Sequence, residues 1–521
     1  MHTECKNARS ITIRIRNEIW LRVRLAVEIV TIGLCSGCAV GPDFRHPTSH
    51  LPIRYTETAL SAHTASSPTA QGQMQTLIMG RDIPGAWWQL FRSPVLTQLV
   101  TTAIRNNPGL EASRQALRNA EEVTLAEYSG LSPAVSGSFS RTRGNFPLAP
   151  SGQPNTSLSY GYYDAHLELS YNFDVWGKTR RTIEQQSAQA DFQRAQLEAF
   201  LLTLTGNVVS TAINEASLRG QLAEQQRLII FERNYLRTIQ NQFALGGATA
   251  TDVALQQAQL GQQEALLPQI KTELAQARHA MAAYLGATPA EAHVPILDLA
   301  TLELPTDVPV SLPSALLEQR PDIRQAEANL HAATAGVGIA IANRLPQFTL
   351  TGDLGSEATR AGELMTPGNG LATLAMQALQ PIFQGGNLLH QQRAAVASMR
   401  QYAAQWQQTV VGAFQDVANA LVQLQNDSWQ LAATLATEQA SARALSLAQR
   451  QYQLGGVSYL TVLTSEVTYQ NAAIALVRAR AARLADTAAL FVALGGGWWN
   501  RQDLPPPPSD VLHSLLPWSH S

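Results

Sequence analysis

The sequence has few of the residues that build disulfide-rich folds, zinc sites or nucleic-acid interfaces. Its three cysteines, Cys5, Cys35 and Cys38, all lie near the start, so the rest of the 521-residue chain has no thiol for a disulfide or a metal. Only 15% of residues are charged and the formal net charge is −2, which argues against a nucleic-acid partner. No run of 18 apolar residues occurs, so no bilayer-spanning helix is expected.

Two long segments also lack proline and nearly lack glycine. Residues 178–245 contain two glycines, and residues 387–454 contain one. In the first segment, alternating steps of four and three residues from Leu197 to Phe243 meet mostly apolar side chains, which is the spacing of a heptad seam. Each segment is therefore predicted to form a single helix roughly 100 Å long.

The sequence is internally duplicated. Residues 243–253, which read FALGGATATDV, recur at 452–462 as YQLGGVSYLTV, and the Leu-Gly that ends each copy keeps the same spacing. A repeat of about 200 residues is too long for a solenoid. The repeats, at 95–300 and 301–498, are therefore predicted to form one pseudo-symmetric body.

Each long helix is expected to end in a sharp reversal at a pair of glycines. The two pairs are Gly246 with Gly247 and Gly455 with Gly456. Glycine enters the left-handed region without a steric penalty, so the chain can turn back there. Return helices are predicted at 252–285 and 461–494. A further helix at 314–345 would match a long helix in length if it stacked end to end on a return helix.

Shorter segments between the helices have a period of two. Residues 163–173 alternate apolar with polar side chains, as do residues 133–141, and the polar loop 142–159 joins them. A weaker pair follows in the second repeat, at 348–354 and 374–378. A half-buried sheet of a soluble protein would show the same alternation.

The number of strands indicates how a membrane barrel could be built. Strands of about ten residues with aromatic ends fit a transmembrane barrel. Four strands cannot close such a barrel, for which about eight is the lower limit, and lipid does not tolerate open sheet edges. If these strands span a membrane, the chain must oligomerise. The predicted fold class is then a mixed α and β membrane protein, with a barrel continuous with a helical tube.

The first residues are typical of an export signal. Arginines precede an apolar stretch at 25–34, and Ser-Gly then leads into Cys38. Small residues before a cysteine resemble the end of a bacterial lipoprotein signal. Residues 1–37 are therefore predicted to be removed, and Cys38 to carry lipid at the start of an N-terminal segment, 38–94. The chain ends in a proline-rich tail at 499–521.

Four motifs, spread over most of the chain, match those of one known family. They are CAVGPDF at 38–44, the pair Trp87-Trp88, EQRPDIRQAE at 318–327 and LGGGW at 494–498. By these motifs the chain resembles the TolC-like outer membrane factors, and in particular their lipoprotein branch, which includes OprM and NodT.

The resemblance implies a homotrimer with twelve strands in one outer membrane β-barrel, continuous with a long α-helical barrel in the periplasm. It also implies passive conduction of small molecules such as drugs or aromatic compounds. A periplasmic adaptor protein and a proton-driven inner-membrane pump would supply the substrate and the energy, and the lipid anchor would contact the outer membrane. No catalytic residue, metal or cofactor is implied. The residues themselves show no phosphate-binding loop, paired His/Glu metal spacing or nucleophile constellation.

The resemblance also implies a gate at the periplasmic tip of the helices. Asp252 and Tyr452 occupy positions whose side chains are linked across helices in TolC-like proteins, although an aspartate at this place would also cap its helix. Leu460 falls where relatives carry an apolar ring. Thr461 and Thr464 fall where relatives carry one or two rings of aspartate, so no acidic constriction is expected here.

Two other functions fit parts of the same sequence. A channel for type I protein secretion belongs to the same family and would be distinguished by a secretion defect rather than drug sensitivity in a knockout. A trimeric coiled-coil adhesin or structural lipoprotein would share the heptads. It would not need the duplicated amphipathic hairpins, and it would show no conductance.

Overall fold

The chain forms a long helical wall with a small sheet at one end and a compact domain along its middle. The structure is a computed structural model that describes residues 39–47, 52, 54–147 and 157–501. Among these residues no helix is both long and apolar enough to cross a membrane.

The helices fall into sets of matching length. In chain order they are α1 (Pro94–Asn106), α2 (Pro108–Tyr128), α3 (Lys178–Ala244), α4 (Ala250–Tyr284), α5 (Pro321–Ala342), α6 (Asn387–Gln453) and α7 (Tyr459–Ala493). The long helices α3 and α6 each have 67 residues, and the return helices α4 and α7 each have 35. The predicted long and return helices are therefore confirmed to within about two residues at each end, the usual uncertainty of helix boundaries.

The two turns between long and return helices have the same backbone geometry. Gly246 and Gly455 both have positive φ, 77° and 75°. The second glycine of each pair, Gly247 or Gly456, donates its N–H to a carbonyl near the end of the long helix, over 2.7 and 2.8 Å. This closure satisfies carbonyls that a helix end leaves free. The two glycine pairs thus form the reversals between the long and return helices.

Shorter helices stack end to end beside the long ones. Where α4 meets α2, Asn107 Nδ2 donates to the carbonyl of Tyr284 over 3.0 Å. Where α7 meets α5, Arg320 Nη1 donates to the carbonyl of Ala493 over 3.0 Å. Helices α5 and α7 each pack against both α3 and α6, whereas α2 and α4 pack against α3. The two repeats therefore form the wall in the same way, with two shorter helices stacked end to end beside a long helix.

The predicted helix at 314–345 is interrupted. A single turn, Leu316–Gln319, precedes α5, which begins at Pro321. Proline restricts the residue before it to extended conformations, and Arg320 accordingly has φ −85° and ψ 122°. Helix α5 has only 22 residues, so the stacked pair is shorter than predicted.

Six strands of the described residues form two sheets. They are β1 (Thr76–Met79), β2 (Ala134–Pro147), β3 (Ser157–Phe173), β4 (Asp307–Val310), β5 (Gln347–Ala358) and β6 (Gly370–Leu379). Four of them form an antiparallel sheet in the order β2-β3-β5-β6. Strands β2 and β6 are therefore the edges of this sheet within one chain.

The four-stranded sheet has one apolar and one polar face. Leu169 pairs with Val135 on one side and with Gly352 on the other, and cross-strand partners share a face. The large exposed side chains on this apolar face are Val135, Phe139, Leu167, Leu354, Leu374 and Met376. On the opposite face His166 Nδ1 lies 2.8 Å from Asp353 Oδ1. The predicted alternation is confirmed.

The prediction of a polar loop at 142–159 is wrong over much of that range, because part of it belongs to strands. Thr142 pairs with Tyr162 and Pro147 pairs with Ser157, so both strands continue beyond the predicted ends. Residues 148–156 lie outside the described residues. The polar composition concealed these strand ends, because ladder hydrogen bonds involve the backbone and need no alternation of side chains.

The compact domain packs on one face of α3. Strands β1 and β4 pair in parallel, which the sequence did not predict because strands of four residues show no clear period. Trp87, Trp88 and Phe91 are buried in a short 3₁₀ helix, and Trp87 lies 5.7 Å from Phe491 of α7 between ring centroids. The tryptophan motif therefore anchors the largest hydrophobic core of the described chain.

Candidate functional site at the tip of the helices

Three tyrosines from three helices meet near the glycine turns. Tyr235 of α3 stacks on Tyr459 of α7 with ring centroids 3.5 Å apart, and Tyr452 of α6 meets the edge of Tyr459 at 4.9 Å. Ile239 and Leu463 are buried beside the stack. Aromatic pairs contribute about 0.5–1.5 kcal/mol beyond the area that they bury. This tyrosine cluster ties the α3–α4 hairpin to the α6–α7 hairpin.

The predicted bond between Asp252 and Tyr452 is not formed. The Asp252 carboxylate accepts hydrogen bonds from the hydroxyl and the backbone N–H of Thr249, over 2.7 and 2.9 Å, in a capping box. These bonds, chiefly the one from the hydroxyl, hold the pKa of Asp252 below its ordinary value. The Tyr452 hydroxyl accepts a 3.3 Å bond from Gln242 instead. Asp252 is therefore the N3 carboxylate of the capping box at the start of α4, and Thr249 is the N-cap.

A buried acidic pair lies farther up the same hairpins. Glu232 of α3 and Glu466 of α7 are both buried. Gln256 of α4 donates to Glu232, and Gln470 donates to Glu466 Oε1 over 2.9 Å. Burial is the main reason why the pKa of Glu232 lies above its ordinary value, with a further rise from the charge of Glu466 and an opposing effect of the bond from Gln256. This packing should weaken as the pH rises through that raised pKa.

The exposed stripe of α7 at the tip carries hydroxyl and apolar groups. Leu460, Thr461 and Thr464 are all exposed, Leu460 by 65%. The Thr464 hydroxyl donates to the carbonyl of Leu460 over 2.9 Å, within the helix. Glu466, two residues on, is buried on the other side of α7. Three of the predicted gate residues thus share one exposed surface.

The residues that follow Cys38 are held against the start of α3. Cys38 itself lies outside the described residues. The Val40 N–H donates to the carbonyl of Trp176 over 3.0 Å, and the Val40 carbonyl accepts from Arg181 Nε over 3.2 Å. Arg181, whose side chain is 5% exposed, also pairs with Asp43 at 2.6 Å. This N-terminal arm begins where β3 passes into α3.

Sequence reasoning missed the tyrosine cluster and the acidic pair. A signal for the second was present, because Glu232 falls on the heptad seam of α3, as do Glu215 and Gln225. All three are buried. The Glu215 carboxylate accepts charged hydrogen bonds of 2.8 Å from both Arg219 and Arg278. A polar residue at a seam position therefore indicates that it has a partner on a neighbouring helix. The sequence alone does not identify that partner.

Comparison with known proteins identifies the family. A family model described as outer membrane efflux protein matches residues 99–287 and 312–496, one match in each repeat. The pyoverdine export outer membrane protein OpmQ of Pseudomonas putida is 29% identical over 460 residues, which cover 86% of this chain and 97% of the relative. The toluene efflux pump outer membrane protein TtgC of Pseudomonas putida is 30% identical over 480 residues, or 91% of this chain and 95% of the relative.

The fold is shared with solved channels. The outer-membrane channel OprN is 25% identical to this chain, with a TM-score of 0.78 over 88% of this chain and 100% of that one. The likeness thus extends over the whole of the solved chain rather than over one segment. On the two matched repeats, the relatives and the fold, the chain belongs to the outer membrane efflux protein family, as its motifs predict.

Proposed function

We propose that three copies of the chain form a twelve-stranded barrel in the outer membrane, continuous with a helical tube in the periplasm. The free edges of the sheet support this, because β2 and β6 each leave one side unpaired and lipid does not tolerate unpaired backbone groups. Pairing β6 of one copy with β2 of the next removes every edge once the ring closes. The twelve strands of three copies also exceed the lower limit of about eight strands for a membrane barrel.

The observation that carries the proposal is the two-faced sheet. Its apolar face exposes a contiguous set of large side chains, among them Leu167, Leu354 and Leu374. An apolar patch of this kind marks an interaction surface, and here it suits lipid. The polar face, with His166 and Asp353 in contact, suits a water-filled interior.

In this arrangement the chain is the passive exit channel of a tripartite efflux system for small molecules. The family and the names of the relatives support this role. A periplasmic adaptor protein and a proton-driven inner-membrane pump would deliver substrate to the tip. Leu245 and Leu454, each 87% exposed beside the glycine turns, offer the adaptor apolar contacts of the kind that anchor interfaces.

Oligomeric state and conductance test this proposal together. The full chain, purified in mild detergent, is expected to behave as a trimer in light scattering and to conduct ions in a planar bilayer. A monomer with an intact β signal in circular dichroism would contradict the barrel. A stable trimer without conductance would contradict the channel.

We also propose that residues 1–37 are an export signal and that Cys38 carries lipid. The N-terminal arm supports this, because Val40 is bonded to Trp176 just after the end of β3, at the sheet end of the helical wall. The segment 38–94 would then be the lipidated N-terminal segment. The repeats 95–300 and 301–498 would form the channel, with 499–521 as a tail.

Replacing Cys38 with alanine is expected to abolish labelling with radioactive palmitate, because the thiol is the acylation point. Trimers should still assemble, since the barrel inserts through its own strands and does not depend on an acyl chain. Label and trimer are read on the same gel after detergent extraction, with Cys35→Ala as the matched control that should keep the label. Palmitate retained by the Cys38 variant would remove this residue from the anchor.

We further propose that the closed tip depends on the tyrosine cluster and on a ring of Leu460. In a trimer the exposed stripes of three α7 helices would surround one axis, with Leu460, Thr461 and Thr464 facing it. A buried aromatic stack resists separation of the hairpins, and an apolar ring disfavours ions in a narrow pore. Neither effect needs an acidic constriction.

A further inference from the structure

Aromatic side chains mark both ends of the apolar face of the four-stranded sheet. At the end near the helices, Tyr171 and Phe173 meet edge to face with ring centroids 4.9 Å apart. At the far end, the rings of Phe139 and Tyr163 lie 6.3 Å apart. The segment of β3 from Tyr163 to Tyr171 is nine residues long, and a tilted strand crosses the hydrocarbon core in about 9–11 residues. In the proposed barrel Tyr163 therefore lies where the lipid tails of the outer leaflet end, as the aromatic girdles of such barrels do.

Two arginines lie just beyond this aromatic end, on the same face of the sheet. Arg141 pairs with Tyr163 and Arg143 pairs with Gly161, and cross-strand partners share a face. The Cζ atom of Arg141 lies 5.3 Å from the centroid of the Tyr163 ring. The Cγ atom of Arg143 lies over Gly161, 3.9 Å from where a Cβ of that residue would be. Both side chains are exposed, so in the trimer they would point outward at the level of the lipid headgroups.

The charges of the sheet are divided between its two faces. The acidic and histidine residues all lie on the inner, polar face, and they are Asp164, His166, Glu168, Asp353 and Glu357. Within the described strands Arg141 and Arg143 are the only charged residues of the outward face, which carries no carboxylate. Among the described residues neither guanidinium has a hydrogen-bond acceptor or an ion-pair partner. Each chain therefore presents two positive charges to its surroundings with no anion of its own beside them.

This combination suits a phosphorylated lipid. Arginine on the lipid face of a barrel is costly at the bilayer midplane but costs little near the headgroups. Its planar guanidinium binds phosphate oxygens through paired N–H groups. The two arginines are two residues apart on one strand, or about 7 Å, so both reach the same headgroup. Below them the exposed side chains of Phe139 and Leu167 offer apolar surface to the attached acyl chains, a surface that a free phosphate would leave bare.

We propose that Arg141 and Arg143 form a binding site for a phosphorylated lipid of the outer leaflet. The guanidinium groups would bind the phosphate oxygens, and the acyl chains would lie along Phe139 and Leu167. The inference rests on the proposed function, since the sheet must lie in the outer membrane for this face to meet lipid. It adds a lipid site on the strands, separate from the proposed acyl anchor at Cys38.

Native mass spectrometry of the purified trimer in mild detergent tests the inference, with lipid A as the probe. Lipid A is a glycolipid that carries two phosphate groups and several acyl chains. One molecule should bind per chain, and enzymatic removal of the phosphates should weaken binding at least about tenfold, because the charged hydrogen bonds are lost. Equal binding of the dephosphorylated lipid would overturn the inference. Displacement of lipid A by an equal concentration of inorganic phosphate would assign the site to the free anion and would also overturn it.

Matched variants locate the site. The double variant with Arg141→Gln and Arg143→Gln should bind lipid A at least about tenfold more weakly and should bind the dephosphorylated lipid as the parent does. Arg360→Gln removes the same charge from the loop that follows β5, where Arg360 already pairs with Glu363 at 3.3 Å, and should change neither affinity. Lipid A binding that is the same in the parent and the double variant would contradict the site.

The result does not depend on the variants alone. The comparison of the two lipids uses the unmodified protein, so it decides the inference even if the double variant fails to fold. Trimer formation and conductance are scored separately in the same samples. A conducting trimer that binds both lipids equally overturns the lipid site and leaves the channel intact, whereas loss of the trimer or of conductance in the unmodified protein contradicts the proposed function.

Discussion

Replacing Leu169 with arginine should prevent most of the protein from reaching the outer membrane as a trimer. Leu169 lies on the apolar face of the sheet, between Val135 and Gly352. An arginine on the lipid face of a barrel costs roughly 2–4 kcal/mol at the bilayer midplane. The fraction of the chain that runs as a trimer from outer membrane preparations measures the effect.

The neighbouring residue supplies the matched control. Ser170 pairs with Ala134 and Thr351 on the opposite face of the same strand, which would line the water-filled interior. Ser170→Arg introduces the same side chain, yet it should leave most of the trimer in place. Equal loss in the two variants would contradict the assignment of the faces.

Placing aspartate at Thr464 should create a block by multivalent cations that the unmodified protein lacks. Three carboxylates around a narrow, weakly solvated constriction would concentrate cations, whereas threonine hydroxyls would not. Planar-bilayer recording with hexaamminecobalt on the periplasmic side measures the block. Conductance of Thr464→Asp should fall steeply, and that of the parent should change little.

Strong block of the unmodified protein would contradict the proposed gate. It would mean that another acidic group, such as the exposed Asp252, lines the constriction, and Asp252→Asn would then relieve the block.

The tyrosine cluster can be examined in the same recordings. Tyr459→Ala removes the ring that contacts both Tyr235 and Tyr452 and should raise the open probability. Tyr452→Phe should have little effect, because it keeps the ring and loses only a 3.3 Å bond.

Local patterns predicted most of the helical wall. The heptad seam of α3 and the glycine pair at Gly246 act over neighbouring residues, so their consequences can be read without knowing what lies across the fold. The same reasoning failed at Arg320, where Pro321 divides a segment whose apolar content favoured one helix. It failed again at 142–147, where backbone pairing extends a strand through polar sequence.

The candidate site was predicted less completely. Leu460 and Thr464 share an exposed stripe, as their spacing of four residues on one helix requires. The link from Asp252 to Tyr452 depended on which donor lay nearest to the Asp252 carboxylate once the hairpins had packed. Thr249 supplied a competing partner within the same turn, so the longer link was lost.

The sequence by itself determined the duplication, the long helices, their reversals and the two-faced strands, because each depends on spacing along a short stretch of chain. The tertiary structure alone decided which distant side chains meet. The stacking of Tyr235 on Tyr459 and the ion pair of Glu215 with Arg278 join residues of different helices. Their free energies come from burial and charge in a space that exists only after the helices have packed.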